Sequence, residues 1–262
     1  MTATSRDKAS SRHPSSGATP VSVRMGRILS ALWHILRLFS LDLSPHPDRT
    51  DPLSRWFDTF LSILGVEVKV SGERPPVSAF LIVANHISWL DILVLRSLFP
   101  TIFIAKEEVA RWPVVGTIAR KVGTIFIGRN SLSSFRETLS ASRSFLSRNI
   151  PITVFPEGTT TPGDYLLPFK TGVFILCTET GIPALPVSIR YESPEGPRLT
   201  SVSYTGKDRL LSSFLRTLRE RRVVVRVHLS LPVFPEGRDR RTLAEASQEA
   251  VANGLAKLSS SR

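Results

Sequence analysis

The distribution of apolar and polar positions divides the chain into two parts. From Arg27 to Leu43 and again from Leu53 to Leu64, apolar residues recur at helical spacing and include aromatic side chains. From Gly65 onward, short apolar runs alternate with amphipathic stretches, a pattern typical of strands and helices in turn. The chain is therefore predicted to have an α/β fold. Its largely parallel, helix-covered sheet would follow an N-terminal amphipathic two-helix segment.

Predicted strands and helices alternate along most of the second part. Helices are predicted at 88–98, within 107–121, and at 133–147, 170–180, 210–221 and 242–259. Strands are predicted at 66–71, 79–84, 102–105, 124–127, 151–155, 184–191, 200–204 and 223–229. The run at 79–84 is apolar throughout, as expected of a strand that is buried on both faces of a sheet.

Three regions follow from this pattern. Residues 1–24 are rich in Ser, Thr and basic residues without an apolar period, and are predicted to form a disordered basic lead. Residues 25–64 are predicted to form an amphipathic two-helix membrane anchor, because both helices carry Trp and the first is too short and interrupted to span a bilayer. The same pattern also fits a helical hairpin that covers the sheet. Residues 65–262 are predicted to form one α/β domain.

The charge and cysteine content narrow the possible partners. The 34 Lys and Arg exceed the 22 Asp and Glu and leave a net charge of +12, which favours an anionic partner: nucleic acid, an acidic lipid surface or a phosphorylated substrate. Zinc-finger spacing and RNA-recognition signatures are absent from the sequence, so nucleic acid is not predicted to be the partner. The single cysteine, Cys177, lies in an apolar run and is predicted to be a packed core thiol.

A histidine and an aspartate follow the buried strand predicted at 79–84. His86 and Asp91 are five residues apart, and on one ideal helix their side chains would diverge by about 140°. The two groups meet only if His86 lies in the turn before a helix and Asp91 lies within it. The carboxylate would then orient the imidazole as a general base. Because this spacing also occurs by chance, a histidine cap beside an unrelated aspartate is the alternative.

Four sequence blocks occur in an order that resembles a known family. The segment from Asn85 to Asp91 resembles the N-H-x4-D block of the lysophosphatidic acid (1-acyl-sn-glycerol-3-phosphate) acyltransferases. The segments 123–129, 155–159 and 185–187 resemble the second, third and fourth blocks, and the resemblance covers roughly residues 50–235. It implies the glycerolipid acyltransferase fold and makes 65–262 an acyltransferase domain. Many members carry an acidic residue where this chain has Gly128.

The resemblance also implies how the acceptor is held. Arg129, at the end of a predicted strand, offers a planar fork suited to phosphate oxygens, and Lys106 would add a point charge. Glu157 would accept a hydrogen bond from a glycerol hydroxyl or orient Arg129. Gly158 and Thr159 would offer backbone amides to a phosphate group.

The reaction implied is acyl transfer to a lysophospholipid. The donor would be a thioester of coenzyme A or acyl carrier protein, and the acceptor 1-acyl-sn-glycerol 3-phosphate, with no cofactor and no metal required. The expected location is the cytoplasmic face of a membrane, bound peripherally or monotopically to anionic phospholipid. The alternatives are a different acceptor (a lyso-ornithine lipid, another lysophospholipid or glycerol 3-phosphate), a non-catalytic membrane adaptor, and a basic nucleic-acid-binding protein.

Overall fold

The computed structural model describes residues 19–41, 52–75, 79–128, 132–196, 198–206 and 208–260. Helix α1 spans Val21–Leu38, so it begins within the region that was predicted to be a disordered lead. That prediction is wrong for residues 21–24. The start of the helix is held by Thr19, whose amide and hydroxyl group donate to the carbonyl oxygen of Arg219 over 3.1 and 3.0 Å. Residues 1–18 of the predicted lead lie outside the described residues.

Helices α1 and α2, the latter spanning Pro52–Leu64, pack against each other through two hydrogen bonds. The Nε1 of Trp56 donates to the carbonyl oxygen of His34 over 2.9 Å, and Nε2 of His34 lies 2.9 Å from the carbonyl oxygen of Trp56. The imidazole stacks on the indole, with 4.6 Å between ring centroids. His34 thus has a structural role in joining the two helices.

The two helices use their apolar faces differently. The apolar side chains of α2 are buried in the core, among them Trp56, Phe57, Phe60 and Leu61. Helix α2 therefore covers the sheet, which was the alternative to a membrane anchor. Helix α1 buries Ala31, His34 and Leu38 but leaves other apolar side chains exposed: Met25, Leu29, Leu32, Trp33 and Leu36. Of the two helices, only α1 presents an apolar face to its surroundings.

In the described part of the chain, seven strands form one sheet in the order β1-β7-β6-β2-β5-β3-β4. Their bounds are β1 Val66–Gly72, β2 Leu81–Ala84, β3 Ile102–Lys106, β4 Ile125–Ile127, β5 Ile152–Val154, β6 Ala184–Glu192 and β7 Val223–Leu229. All neighbouring pairs are parallel except β6 and β7. The carboxyl ends of β2, β3, β4, β5 and β6 therefore lie at the same edge of the sheet, as ligand sites in such folds require.

The remaining helices cover both faces of the sheet. They are α3 Leu90–Leu98, α4 Glu107–Ala110, α5 Val115–Lys121, α6 Leu132–Leu146, α7 Ile175–Thr180, α8 Leu210–Arg219 and α9 Arg240–Ser260, with a 3₁₀ turn at Gly172–Phe174. One hydrophobic cluster joins α1, α2, α3 and α8 to one face, and a second joins α6, α7 and α9 to the other. The predicted α/β fold with a largely parallel, helix-covered sheet is confirmed.

The prediction of a strand at 200–204 is wrong. This segment forms a turn, and its polar backbone groups are bonded outside the sheet. Arg216 donates to the carbonyl oxygens of Ser201 and Ser203 over 3.1 and 3.0 Å, and the Oγ of Ser88 donates to Val202 over 2.7 Å. The alternating pattern was that of a strand, but side chains of distant residues take the place of a neighbouring strand.

Candidate active site

His86 lies in the short connection between β2 and α3, and Asp91 lies in the first turn of α3. Nδ1 of His86 is 2.8 Å from Oδ2 of Asp91. The geometry matches the condition set by the spacing: the histidine precedes the helix and the aspartate belongs to it. Because a carboxylate is an acceptor, the hydrogen between them belongs to Nδ1 of the imidazole.

Asp91 is fully buried and accepts hydrogen bonds from four donors. Besides His86, the backbone amides of Ile87 and Ser88 donate to Oδ2 over 2.7 and 2.9 Å. The fourth donor is the hydroxyl of Tyr191, 2.6 Å from Oδ1. Such a set of donors compensates the cost of burying a carboxylate and holds its orientation. Asp91 thereby fixes both the imidazole and the backbone of the loop that carries it.

Tyr191 reaches this site from β6, one hundred residues further along the chain. Its side chain is buried, and burial raises the pKa of the phenol well above its ordinary value, with the Asp91 carboxylate adding to the effect. The phenol therefore stays protonated and acts as a hydrogen-bond donor to the carboxylate. Tyr191 is a positioning residue that was not predicted from the sequence.

The imidazole of His86 is oriented by stacking as well as by hydrogen bonding. Its ring lies parallel to that of Phe155, with 3.8 Å between centroids and 10° between planes. The side chain is 18% exposed, and within the described part of the chain Nε2 forms no hydrogen bond. Since Nδ1 carries the hydrogen, Nε2 has a lone pair that is accessible to an incoming hydroxyl group.

Glu157 holds the same loop from the other side. Its Oε1 accepts the backbone amide of His86 over 2.8 Å, and its Oε2 accepts that of Leu167 over 2.9 Å. The side chain is buried, and this burial raises the pKa of the carboxyl group, although the two amides oppose the shift. The structure thus gives Glu157 a positioning role in the chain itself, while a contact with the acceptor stays a prediction.

Two further loops close over the backbone of His86 and Ile87. The amide of Thr161 donates to the carbonyl oxygen of His86 over 2.8 Å, and that of Tyr204 donates to Ile87 over 2.9 Å. A Cβ at Gly163 would lie 2.8 Å from Cδ1 of Ile87, so this loop passes close to the side chain. The backbone around His86 is consequently restrained by bonds from residues more than seventy positions away.

Gly158 has φ +71° in the turn that follows β5, a conformation suited to glycine. A Cβ at this position would overlap Nζ of Lys170, so the lysine lies against the turn. The amide of Gly158 donates to the carbonyl oxygen of Phe155 over 2.9 Å and is therefore not free for a phosphate group. Thr159 is exposed beside it, and acceptor contacts by Gly158 and Thr159 stay predictions.

The predicted basic residues relate differently to this edge. Lys106 is exposed at the carboxyl end of β3, which is two strands from β2 in the order β2-β5-β3. At about 4.8 Å per strand, the strand that carries Lys106 lies roughly 10 Å from the one that carries His86. Arg129 lies outside the described residues. The preceding Gly128, after β4, donates its amide to Oγ of Ser134 over 2.7 Å.

The Phe-Pro-Glu-Gly sequence occurs twice, and both copies form a turn with glycine at positive φ. The second copy follows Val233, which pairs with Ala184 at the beginning of β6. It is therefore at the edge of the sheet opposite His86, which agrees with its interpretation as a turn. The first copy belongs to the site because it follows β5 at the edge that carries His86, and not because of its sequence alone.

Cys177 is fully buried, and burial raises the pKa of its thiol to about 12. A nucleophilic thiolate is therefore disfavoured at this position, and the predicted role as a core thiol is confirmed. Among the described residues, His, Cys, Asp and Glu form no group of three or more arranged to hold a metal ion.

The sequence is similar to those of known acyltransferases. The Acyltransferase family model matches residues 66–190. A lyso-ornithine lipid O-acyltransferase of Pseudomonas aeruginosa is 39% identical over 84% of both chains. A 1-acyl-sn-glycerol-3-phosphate acyltransferase of Neisseria meningitidis is 33% identical over 72% of this chain and 73% of its own.

The fold also matches a solved structure. The crystal structure of the 1-acyl-sn-glycerophosphate acyltransferase from Thermotoga maritima superposes with a TM-score of 0.67 at 24% identity, over 92% of this chain and 97% of that one. The two proteins share a fold. Together with the relatives above, which this chain matches over most of their length, it follows that the chain belongs to the acyltransferase family, as its four blocks predicted.

Proposed function

We propose that this enzyme transfers an acyl group from a thioester to the free hydroxyl of a lysolipid, with His86 as general base oriented by Asp91. The observation that carries the proposal is the arrangement of the imidazole: Nδ1 donates to a buried carboxylate over 2.8 Å and Nε2 is accessible. A histidine held in this way accepts a proton from a hydroxyl group while that group attacks a carbonyl carbon.

The proposed step is balanced by one proton and one leaving group. The hydroxyl oxygen of the acceptor forms a bond to the thioester carbonyl carbon while its proton passes to Nε2 of His86. The carbon–sulfur bond then breaks, and the thiolate of coenzyme A or acyl carrier protein takes the proton back from the imidazolium. Asp91 stabilises the positive charge on the ring between the two transfers. The nucleophile belongs to the substrate, so the proposed mechanism requires no protein nucleophile, metal or cofactor.

A lyso-ornithine lipid is the first candidate acceptor. The relative named for this activity has the higher identity, 39% over 84% of the chain, against 33% over 72% for the glycerolipid enzyme. Such an acceptor has a free hydroxyl and an ornithine head group with a carboxylate and an ammonium group, but no phosphate. The absence of an acidic side chain at Gly128, where many glycerolipid enzymes carry one, is consistent with a different head group.

1-Acyl-sn-glycerol 3-phosphate is the second candidate, and basic residues favour it. Lys106 is exposed at the edge of the sheet that carries His86, and Lys170 lies against the Gly158 turn. Near pH 7 a phosphate monoester carries between one and two negative charges, which such side chains attract. We also propose that Arg129, in the second sequence block, contributes to binding of this phosphate.

We further propose that the enzyme works on the cytoplasmic face of a membrane, attached peripherally or monotopically. The apolar face of α1, with Leu29, Leu32, Trp33 and Leu36 exposed, supports this location, and the net charge of +12 suits an anionic surface. None of the described helices has both the length and the hydrophobicity needed to cross a bilayer.

An acceptor panel tests the proposal. Purified enzyme is given acyl-CoA or acyl-acyl carrier protein together with lyso-ornithine lipid, 1-acyl-sn-glycerol 3-phosphate, lysophosphatidylethanolamine or glycerol 3-phosphate. We expect the highest kcat/KM with lyso-ornithine lipid and release of one thiol for each ester formed. A higher kcat/KM with 1-acyl-sn-glycerol 3-phosphate would make that lipid the first candidate acceptor and lyso-ornithine lipid the second. Thioester hydrolysis without acylation of any lysolipid would contradict the proposed function.

A further inference from the structure

The turn between α4 and α5 presents apolar side chains to solvent. It comprises residues 111–114, with the sequence Arg-Trp-Pro-Val, and is called the 111–114 tip below. Trp112 is 38% exposed and Val114 is 58% exposed. Arg111 follows the last residue of α4, and Val115 is the first residue of α5. The tip follows β3 and Lys106 closely, so it lies at the edge of the sheet that carries His86.

Val114 adopts a strained backbone conformation. Its φ of 63° and ψ of −57° are those of the rare γ-turn, and the amide of Val115 donates to the carbonyl oxygen of Pro113 over 2.6 Å, as that turn requires. Glycine takes positive φ without steric cost, whereas a β-branched residue does so only under strain. The tip thus holds a valine where glycine would be relaxed, and it exposes that side chain to water.

The conformation of the tip is fixed by close packing at its base. A Cβ added at Gly116 would overlap the carbonyl oxygen of Ala110, so α4 and α5 approach as closely as glycine allows. The amide of Gly116 donates to Trp112 over 2.9 Å, and Nη1 of Arg120 donates to Ala110 over 2.6 Å. The backbone that carries Trp112 and Val114 is therefore restrained by contacts within the chain.

The charges around the tip and its connection to α1 indicate what covers it. Arg111 is exposed on the tip, and its Nη2 lies 3.3 Å from the carboxylate of Glu107. Within residues 106–121 the four basic side chains still outnumber the two acidic ones. Lys121 at the end of α5 places its Nζ 5.0 Å from the ring centroid of Phe39, just beyond α1. Phe39 is itself exposed and adjoins the apolar face of α1. Tryptophan with arginine and lysine beside it is the composition that favours the interface of an anionic bilayer.

From this arrangement we propose that the 111–114 tip inserts into the surface of an anionic bilayer as a contact additional to α1. The proposal rests on the proposed function, because an enzyme that acylates lysolipids must draw its acceptor from a bilayer. Contacts at α1 and at the tip would orient the edge that carries Lys106 and His86 toward the lipid. The inserted groups are the indole of Trp112 and the isopropyl group of Val114, and Arg111 and Lys121 face the phosphate layer.

The replacement Val114→Gly separates insertion from folding, since the two effects have opposite signs. Removing the side chain relieves the strained turn and takes an apolar group out of the bilayer. We expect the unfolding temperature to stay equal or rise, while binding to phosphatidylcholine–phosphatidylglycerol vesicles weakens severalfold. Trp112→Ser is expected to weaken binding by roughly tenfold, because it removes a large apolar side chain from the bilayer. Sedimentation with vesicles measures the binding of both variants, and thermal unfolding measures their stability.

A matched control is Leu231→Ser. Leu231 is apolar and 80% exposed, and it follows β7 at the opposite edge of the sheet, so its replacement should leave vesicle binding unchanged. Wild-type affinity in both tip variants, or equal weakening in the control, would overturn the proposal. Because binding is measured without turnover, absence of acyl transfer by the wild type would contradict the proposed function without altering this test.

Discussion

At the scale of single residues, the site depends on Asp91 as the point where several restraints meet. Its carboxylate accepts from His86, from two backbone amides and from Tyr191. The imidazole is therefore bound to a group that is itself held by three further hydrogen bonds, an orientation that would suit the proposed general base. The His-x4-Asp spacing allowed the first of these contacts to be predicted. The contact with Tyr191 left no signal in the sequence, because it depends on how β6 is placed beside β2.

Tyr191→Phe removes one donor from the Asp91 carboxylate and changes little else in shape. A buried carboxylate oxygen is then left with an unmade hydrogen bond, which should lower the free energy of unfolding by about 1–3 kcal/mol. The remaining charge on Asp91 holds the protonated imidazole more strongly. We therefore expect kcat to fall by about tenfold and the acid limb of the pH–rate profile to move to higher pH. A loss of stability with an unchanged profile would assign Tyr191 a structural role only.

Glu157→Gln tests the positioning role of the second buried carboxylate. The replacement keeps one acceptor oxygen but turns an NH₂ group toward the amide of either His86 or Leu167, so one of these hydrogen bonds is lost. Because His86 loses part of its backbone restraint, we expect kcat to fall by about tenfold or more. Circular dichroism and thermal unfolding would verify that the fold is retained.

The stability of the wild type has a predictable dependence on pH, which the same variant tests. Burial raises the pKa of Glu157, so the folded protein binds a proton on this group at a higher pH than the unfolded chain does. The contribution of Glu157 to stability is therefore fully present below its unfolded pKa and is lost as pH rises through the folded value. Glutamine removes this dependence, and wild type should lose stability relative to the variant across that window in urea unfolding. A parallel course of the two curves would be inconsistent with this account.

At the scale of secondary-structure elements, α1 and α2 show what an amphipathic pattern leaves undecided. Both helices carry Trp and an apolar stripe, and both were predicted as an anchor with a sheet-covering hairpin as the alternative. In the structure, α2 covers the sheet, because it buries its apolar stripe in the core. Helix α1 exposes much of its apolar stripe, as an anchor would. Periodicity reports that a helix has an apolar face, but not whether protein or lipid covers that face.

Leu32→Ser with Leu36→Ser tests the exposed face of α1. Both side chains are exposed and lie four residues apart on one side of the helix, so their replacement should cost the fold little. We expect binding to anionic vesicles to fall by about tenfold or more, measured by sedimentation. The matched control is Ala31→Ser, at a buried position in the same helix, which should lower the unfolding temperature without reducing vesicle affinity of the folded protein.

At the scale of the whole molecule, the parallel arrangement gathers the site at one edge of the sheet. The carboxyl ends of β2, β5 and β3 deliver His86, Glu157 and Lys106 to that edge from well-separated parts of the sequence. This convergence could be predicted, because alternating strands and helices imply a parallel sheet. The register and the strand order could not be predicted. The segment at 200–204 was wrongly predicted as a strand, because its pattern does not reveal that Ser88 and Arg216 bind its carbonyl groups.

The central claim is that His86 transfers the proton in acyl transfer, and His86→Ala tests it most directly. The ring is partly exposed and its loop is held by backbone bonds to Glu157, Thr161 and Tyr204, so the variant should fold. The measurement is the rate of acyl transfer from acyl-CoA to lyso-ornithine lipid and to 1-acyl-sn-glycerol 3-phosphate, with vesicle binding as the control. General-base catalysis predicts a loss of at least about 100-fold with vesicle binding unchanged. A folded variant that retained acyl transfer within a few-fold of wild type would contradict the account.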